Sequence, residues 1–137
     1  MRHLQFIFLF FMVLFMVQSC ADKIISECDT SPVPTGLQAT LGSIQQYVFT
    51  PTCNICHGGN FPEAGLNLSA GASYSNLVGV ASVGGNLQRV EAGNSMQSWL
   101  IKKLNGDGVS VMPPTGKLSQ GIIDTIAIWI DAGAVND

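Results

Sequence analysis

Cys53-Asn54-Ile55-Cys56-His57 is the most informative run in the chain. Two thiols stand three positions apart, and a histidine follows the second at once. A thioredoxin-like redox pair expects a βαβ setting. The apolar alternation here is nowhere long enough for a sheet. A structural zinc site usually wants four ligands, and a second Cys/His pair is missing. Covalent haem attachment needs what is present. Each thiol can add to one vinyl group of the same haem, and the adjacent His57 then lies under the iron as proximal ligand. Cys53 and Cys56 are therefore the expected thioether positions for one haem c.

Such attachment requires an oxidising compartment with a haem-ligation apparatus, and the N-terminus supplies that context independently. Met1-Arg2-His3 is a short cationic start, and residues 6–17 form an unbroken apolar run. A bilayer-spanning helix needs roughly 20 apolar residues, so this run has the length of a signal-peptide core instead. It ends in Val17-Gln18-Ser19-Cys20, which resembles a bacterial lipobox. The resemblance implies cleavage before Cys20, an acyl anchor on that cysteine and a location on the periplasmic side of a bacterial membrane. Ala21, in place of the aspartate that retains some lipoproteins at the inner membrane, leans the expectation towards the outer membrane. Ordinary cleavage without lipidation stays open, because Gln18 fits the pattern less well. Cys28 is left without an assigned role.

Without the leader, Lys23, Arg89, Lys102, Lys103 and Lys117 face nine acidic residues. The expected net charge is about −4. There is no basic run and no basic-aromatic patch, so nucleic-acid binding is unsupported. Arginine suits carboxylates, which makes Arg89 a candidate partner for a haem propionate. The lysines are read as a solvated face before a docking ring.

Three segments follow: a leader over 1–19, a proline-containing tether over 20–40 and a folded unit over 41–137. The unit reads as all-α. Ile44, Tyr47 and Val48 share one face of a first helix, and Thr50-Pro51 should end it. Residues 73–78 suit a short helix, and the glycine-rich 81–86 suits a loop. Residues 95–104 predict a helix with Met96, Trp99, Leu100 and Leu104 on one face, stopped by Asn105-Gly106. The last helix should run from about Ser119 to Gly133, with Ile122, Ile123, Ile126, Trp129 and Ile130 as its apolar stripe. A core this small is marginal by itself, and a bound haem would add apolar surface for it to pack around.

His57 is the only histidine outside the leader, so two histidines from one chain cannot flank the iron. Methionine is the usual alternative, and Met96 and Met112 are the two beyond the leader. Met96 sits at helical spacing with Trp99 and Leu100 and reads as core filler. Met112 precedes Pro113-Pro114, whose fixed φ and missing donors stiffen the loop. Met112 is the expected distal ligand.

The sequence resembles the small cytochrome c-like domains of bacterial exported proteins, from about Ile44 to Ala134. The resemblance rests on Thr52 to Gly59, on Ala64-Gly65-Leu66-Asn67-Leu68, and on Arg89-Val90 with Gly93. Ser98, Leu100, Lys103 and Leu104, then Met112-Pro113-Pro114 with Leu118-Ser119, and Trp129 to Ala134 extend it. It implies a helical cytochrome c fold whose first and last helices cross, with Tyr47 or Val48 against Trp129. It also implies His57 and Met112 as axial ligands. Asn94-Ser95 stands where the family often has Asp-Pro, with Ser95 as the expected helix cap. The implied function is electron transfer with redox-protein partners, without catalytic residues. Two readings stay beside it: a small-gas binding module with an open sixth position, and a haem-bearing interaction module of a surface lipoprotein complex.

Overall fold

The computed structural model of the chain describes residues 32–137. The leader, Cys20 and Cys28 lie outside the described residues. Helix α1 spans Leu41–Ile44 and continues without a break as a wider π-helical segment, Gln45–Cys53. The expected stop at Thr50-Pro51 is therefore corrected. The wider turn moves each donor's partner one residue further back and relieves the clash of the Pro51 ring with the carbonyl four residues earlier. The Asn54 amide accordingly donates to the Phe49 carbonyl at 2.8 Å. Cys53 thus closes a helix instead of opening a loop.

The first amides of α1 need partners, and the far end of the chain provides two. The Asp137 carboxylate accepts from the Leu41 amide at 2.8 Å, and the Asp137 carbonyl accepts from Gly42 at 2.9 Å. The Thr40 hydroxyl accepts from Ser43, as an N-cap does. Residues 32–40, expected to be tether, lie on the domain: Leu37 and Ala39 pack against the core. Tyr47 faces this arm, because a Cβ at Gly36 would lie 3.1 Å from its hydroxyl. Of the two residues expected near Trp129, Val48 is buried in the same core cluster as that indole, whereas Tyr47 is only partly buried.

Helix α2 spans Ser73–Leu77, α3 spans Trp99–Asn105 and α4 spans Gln120–Asp131. The described residues hold no extended strand, only two isolated bridges, Val78 to Val90 and Ala81 to Gln88. In α4 the expected stripe holds. Ile122, Ile123, Ile126, Trp129 and Ile130 are all buried, while Ile128 is 59% exposed. The helix packs on α3 and on a 3-10 turn over Ser95–Gln97.

That turn corrects the reading of 95–104 as one helix. Ser98 is extended, with ψ 123°, and its buried hydroxyl donates to the Asn94 carbonyl at 2.9 Å and accepts from the Glu91 amide. The cap is Asn94, whose side chain accepts from Gln97. Ser95 instead gives its amide and hydroxyl to the Asp131 carboxylate. The kink turns Met96 outward, 80% exposed, so it fills no core. Gly106 ends α3 in the left-handed conformation, as Asn105-Gly106 predicts.

Ile126 is fully buried and Ile128 is not. Ile126→Ala should therefore cost about 2–5 kcal/mol, and Ile128→Ala should stay within about 0.5 kcal/mol. Urea unfolding of the two variants tests this; equal losses would contradict the packing of α4.

Candidate functional site

A cavity of about 450 Å³ opens between the turn after the first helix, α3 and the loop that follows it. His57 and Met112 both line it, together with Leu66, Leu77, Val83, Trp99 and Leu100. Its volume lies in the range of small-molecule and cofactor sites. The kink at Ser98 is what presents Trp99, Leu100 and Lys103 on one side of α3 towards this space. The 81–88 loop closes tightly over the indole of Trp99. A Cβ at Gly84 would lie 3.1 Å from the ring, and one at Gly85 would collide with it.

His57 is oriented by its own neighbourhood. Its amide donates to the Cys53 carbonyl at 2.8 Å, and its carbonyl accepts from Leu68 at 2.6 Å. The ring Nδ1 lies 3.1 Å from the Glu63 carbonyl. A carbonyl only accepts, so Nδ1 carries the hydrogen and Nε2 keeps its lone pair for a metal. Glu63 belongs to a 3-10 turn, Glu63–Gly65, whose first amide returns to the Cys56 carbonyl at 3.0 Å. Gly58 is required beside this turn, since a Cβ there would collide with the Asn54 side chain.

Met112 is fixed from the opposite part of the chain. Its amide donates to the Lys103 carbonyl at 2.8 Å, and the Pro113 carbonyl accepts from Gly116 at 3.1 Å. The loop is thereby pinned to α3. Met96, the other methionine among the described residues, does not line the cavity.

Cys53 and Cys56 are free thiols that precede His57 and do not themselves line the cavity. Cys53 is half-buried against the core and Cys56 is exposed. Burial, and secondly the neighbouring Cys56, push the Cys53 thiol up from 9.0 to about 11. Among the described residues no three His, Cys, Asp or Glu side chains cluster, which leaves a four-ligand zinc site without donors. Cys53, Cys56, His57 and Met112 are the donor types that could hold a haem iron.

Several cavity residues are not read as such from the sequence; among them Trp99 and Leu100 read as core and Lys103 as a solvated face. Their shared position on α3 was legible from the spacing of 99, 100 and 103. No helix among the described residues is long and apolar enough to cross a membrane. No protein-family model, curated protein or solved structure matches the chain.

The two thiols should differ in reactivity. In reduced, haem-free protein at neutral pH, iodoacetamide should modify Cys56 well ahead of Cys53, since the thiolate is the nucleophile. Cys53 should react appreciably only as pH approaches about 11. The fold holds the Cys53 proton above its ordinary pKa. Its contribution to stability is therefore full below about 9 and lost as pH rises through about 11. Peptide mass spectrometry at pH 7 and pH 10.5 reads the order of labelling; equal labelling at pH 7 would refute it.

Proposed function

We propose that the chain is a mono-haem c-type electron-transfer protein of the cytochrome c-like class. Cys53 and Cys56 would hold the haem covalently, and His57 and Met112 would bind its iron. The observation that carries this reading is that His57 and Met112, distant in sequence, line one apolar cavity. When bound, the haem supplies a single iron centre that exchanges one electron.

The chain's own residues do the rest. Cys53 and Cys56, both free thiols, would supply the two sulfurs of the thioether links. His57 Nε2 offers its lone pair while the Glu63 carbonyl holds Nδ1–H. Met112 offers a thioether, which raises the reduction potential relative to a second histidine. Leu66, Leu77, Trp99 and Leu100 line the cavity with apolar surface against which a haem would pack. If His57 and Met112 both bound the iron, no coordination site would be left for a substrate, which favours exchange of electrons with redox-protein partners. Export by the leader and a lipid anchor at Cys20 complete the proposal and set the protein on the periplasmic face of a membrane.

Expression of the full chain in a haem-ligating bacterial host tests it. The matured protein should carry the mass of one haem, and its ferric spectrum should show the weak far-red band of sulfur ligation. Met112→Ala should lose that band, lower the potential and admit carbon monoxide to the ferrous iron. Maturation without haem would sink the proposal. Rapid stoichiometric carbon monoxide binding by the unaltered protein would favour gas binding instead. For the anchor, Cys20→Ser should move the protein from the membrane to the soluble fraction; an unchanged distribution would overturn lipidation at that residue.

A further inference from the structure

Helix α3 has only seven residues, and a helix needs roughly 12–15 to persist alone in water. Its placement is therefore set by what holds its two ends. At the first end its N-cap, Ser98, makes no side-chain capping bond. The chain leaving the 81–88 loop supplies the acceptors instead. The Trp99 amide donates to the Gln88 carbonyl and the Leu100 amide to the Arg89 carbonyl, both at 2.9 Å. At the last end the Lys103 carbonyl belongs to the four that a helix leaves without an internal partner. It accepts from the Met112 amide at 2.8 Å. The helix is a short rod between the 81–88 loop and the methionine loop.

Trp99 locks the loop end of that rod. The loop tip is tied to itself: the Ser82 amide donates to the Leu87 carbonyl and the Ser82 hydroxyl to the Gly85 carbonyl, both at 3.0 Å. Neither Gly84 nor Gly85 has a positive φ, so glycine is needed there for space and not for conformation. A Cβ on Gly85 would stand closer than 3.0 Å to Cζ3, Cη2 and Cε3 of the indole. The six-membered ring thus rests directly on the backbone of the tip, with no side chain between them.

We infer that Trp99, seated on Gly84 and Gly85, is a positioning residue for Met112. The seat fixes where α3 lies, and the Lys103 carbonyl passes that placement to the methionine loop. The inference rests on the haem proposal for the worth of Met112 as a ligand, since a ligand serves a metal only as well as it is held. The linkage itself is a property of the haem-free chain.

The first test needs no haem. Amide hydrogen exchange in the haem-free full chain reads the Met112 amide against the Ala134 amide, which donates to the Trp129 carbonyl at 3.0 Å and reports opening of the whole domain. In Gly85→Ala the Met112 amide should exchange about tenfold faster relative to Ala134, within the range of coupling through packed contacts. Adding Trp99→Phe withdraws the colliding ring and should return the ratio to that of the unaltered chain, as coupled neighbours require. An unchanged ratio in Gly85→Ala, or no recovery with Trp99→Phe, would overturn the inference.

A second measurement, on the haem-loaded protein, covers the case in which the haem-free chain does not fold. Gly85→Ala should keep the haem mass, weaken the far-red sulfur band and admit carbon monoxide to the ferrous iron. Ile126→Ala, which lowers stability without touching the seat, should keep the band. Equal weakening in both variants, or an unchanged band in Gly85→Ala, would overturn the inference and leave the haem proposal standing. Maturation of the unaltered chain without haem would overturn the haem proposal, and with it the ligand role that Trp99 serves.

Discussion

The contact between His57 Nδ1 and the Glu63 carbonyl fixes the imidazole, and several elements serve to keep that carbonyl in place. The Glu63 amide returns to Cys56, and the Leu68 amide returns to His57, so the 57–68 loop folds back on the attachment motif. Arg89 then closes the loop from outside through the Ala64 and Gly65 carbonyls. The order is hierarchical. The π-helical segment delivers Cys53, the turn after it delivers His57, and a residue from beyond α2 holds that turn. A histidine on an unpinned loop would sample many ring orientations, and a ligand's worth to a metal depends on its being held.

The core is arranged around an incomplete interior. Ile44, Val48, Phe49, Leu77, Val90 and the α4 stripe are buried together, yet a cavity of about 450 Å³ adjoins them. Protein interiors are normally packed to crystal-like density. A space of this size lined by leucine, valine and tryptophan forgoes contacts on one side of each of those side chains. The proposed haem would restore them, which ties the cofactor to the stability of the fold as well as to its chemistry. The tie between Asp137 and the start of α1 works in the same direction. It joins the last residue to the start of α1, away from the cavity.

Several elements were legible because one short-range pattern dictated them. The stripe of α4 follows from apolar spacing alone, and the stop at Asn105-Gly106 follows from the conformational freedom of glycine. The Cys53 to His57 motif is local as well: the proposed attachment chemistry is read from five adjacent residues. The misread elements share a different cause. Pro51 was expected to break a helix that a wider winding lets continue. Ser98 was expected inside a helix that its own hydroxyl interrupts, because bonds to Asn94 and Glu91 outcompete the helical ladder. Met96 was assigned to core on a periodicity that the kink at Ser98 cancels.

From the sequence alone came the all-α class and the expectations of a leader, of haem binding and of Met112 as ligand, since each rests on residue types at fixed spacing. Only the tertiary structure decided that His57 and Met112 line one cavity, that Trp99 and Leu100 line it with them, and that Arg89 is buried there. Those facts depend on contacts between residues far apart in the chain. Linear spacing carries no record of them, because they are set by how the turn, the kink and the methionine loop pack against one another.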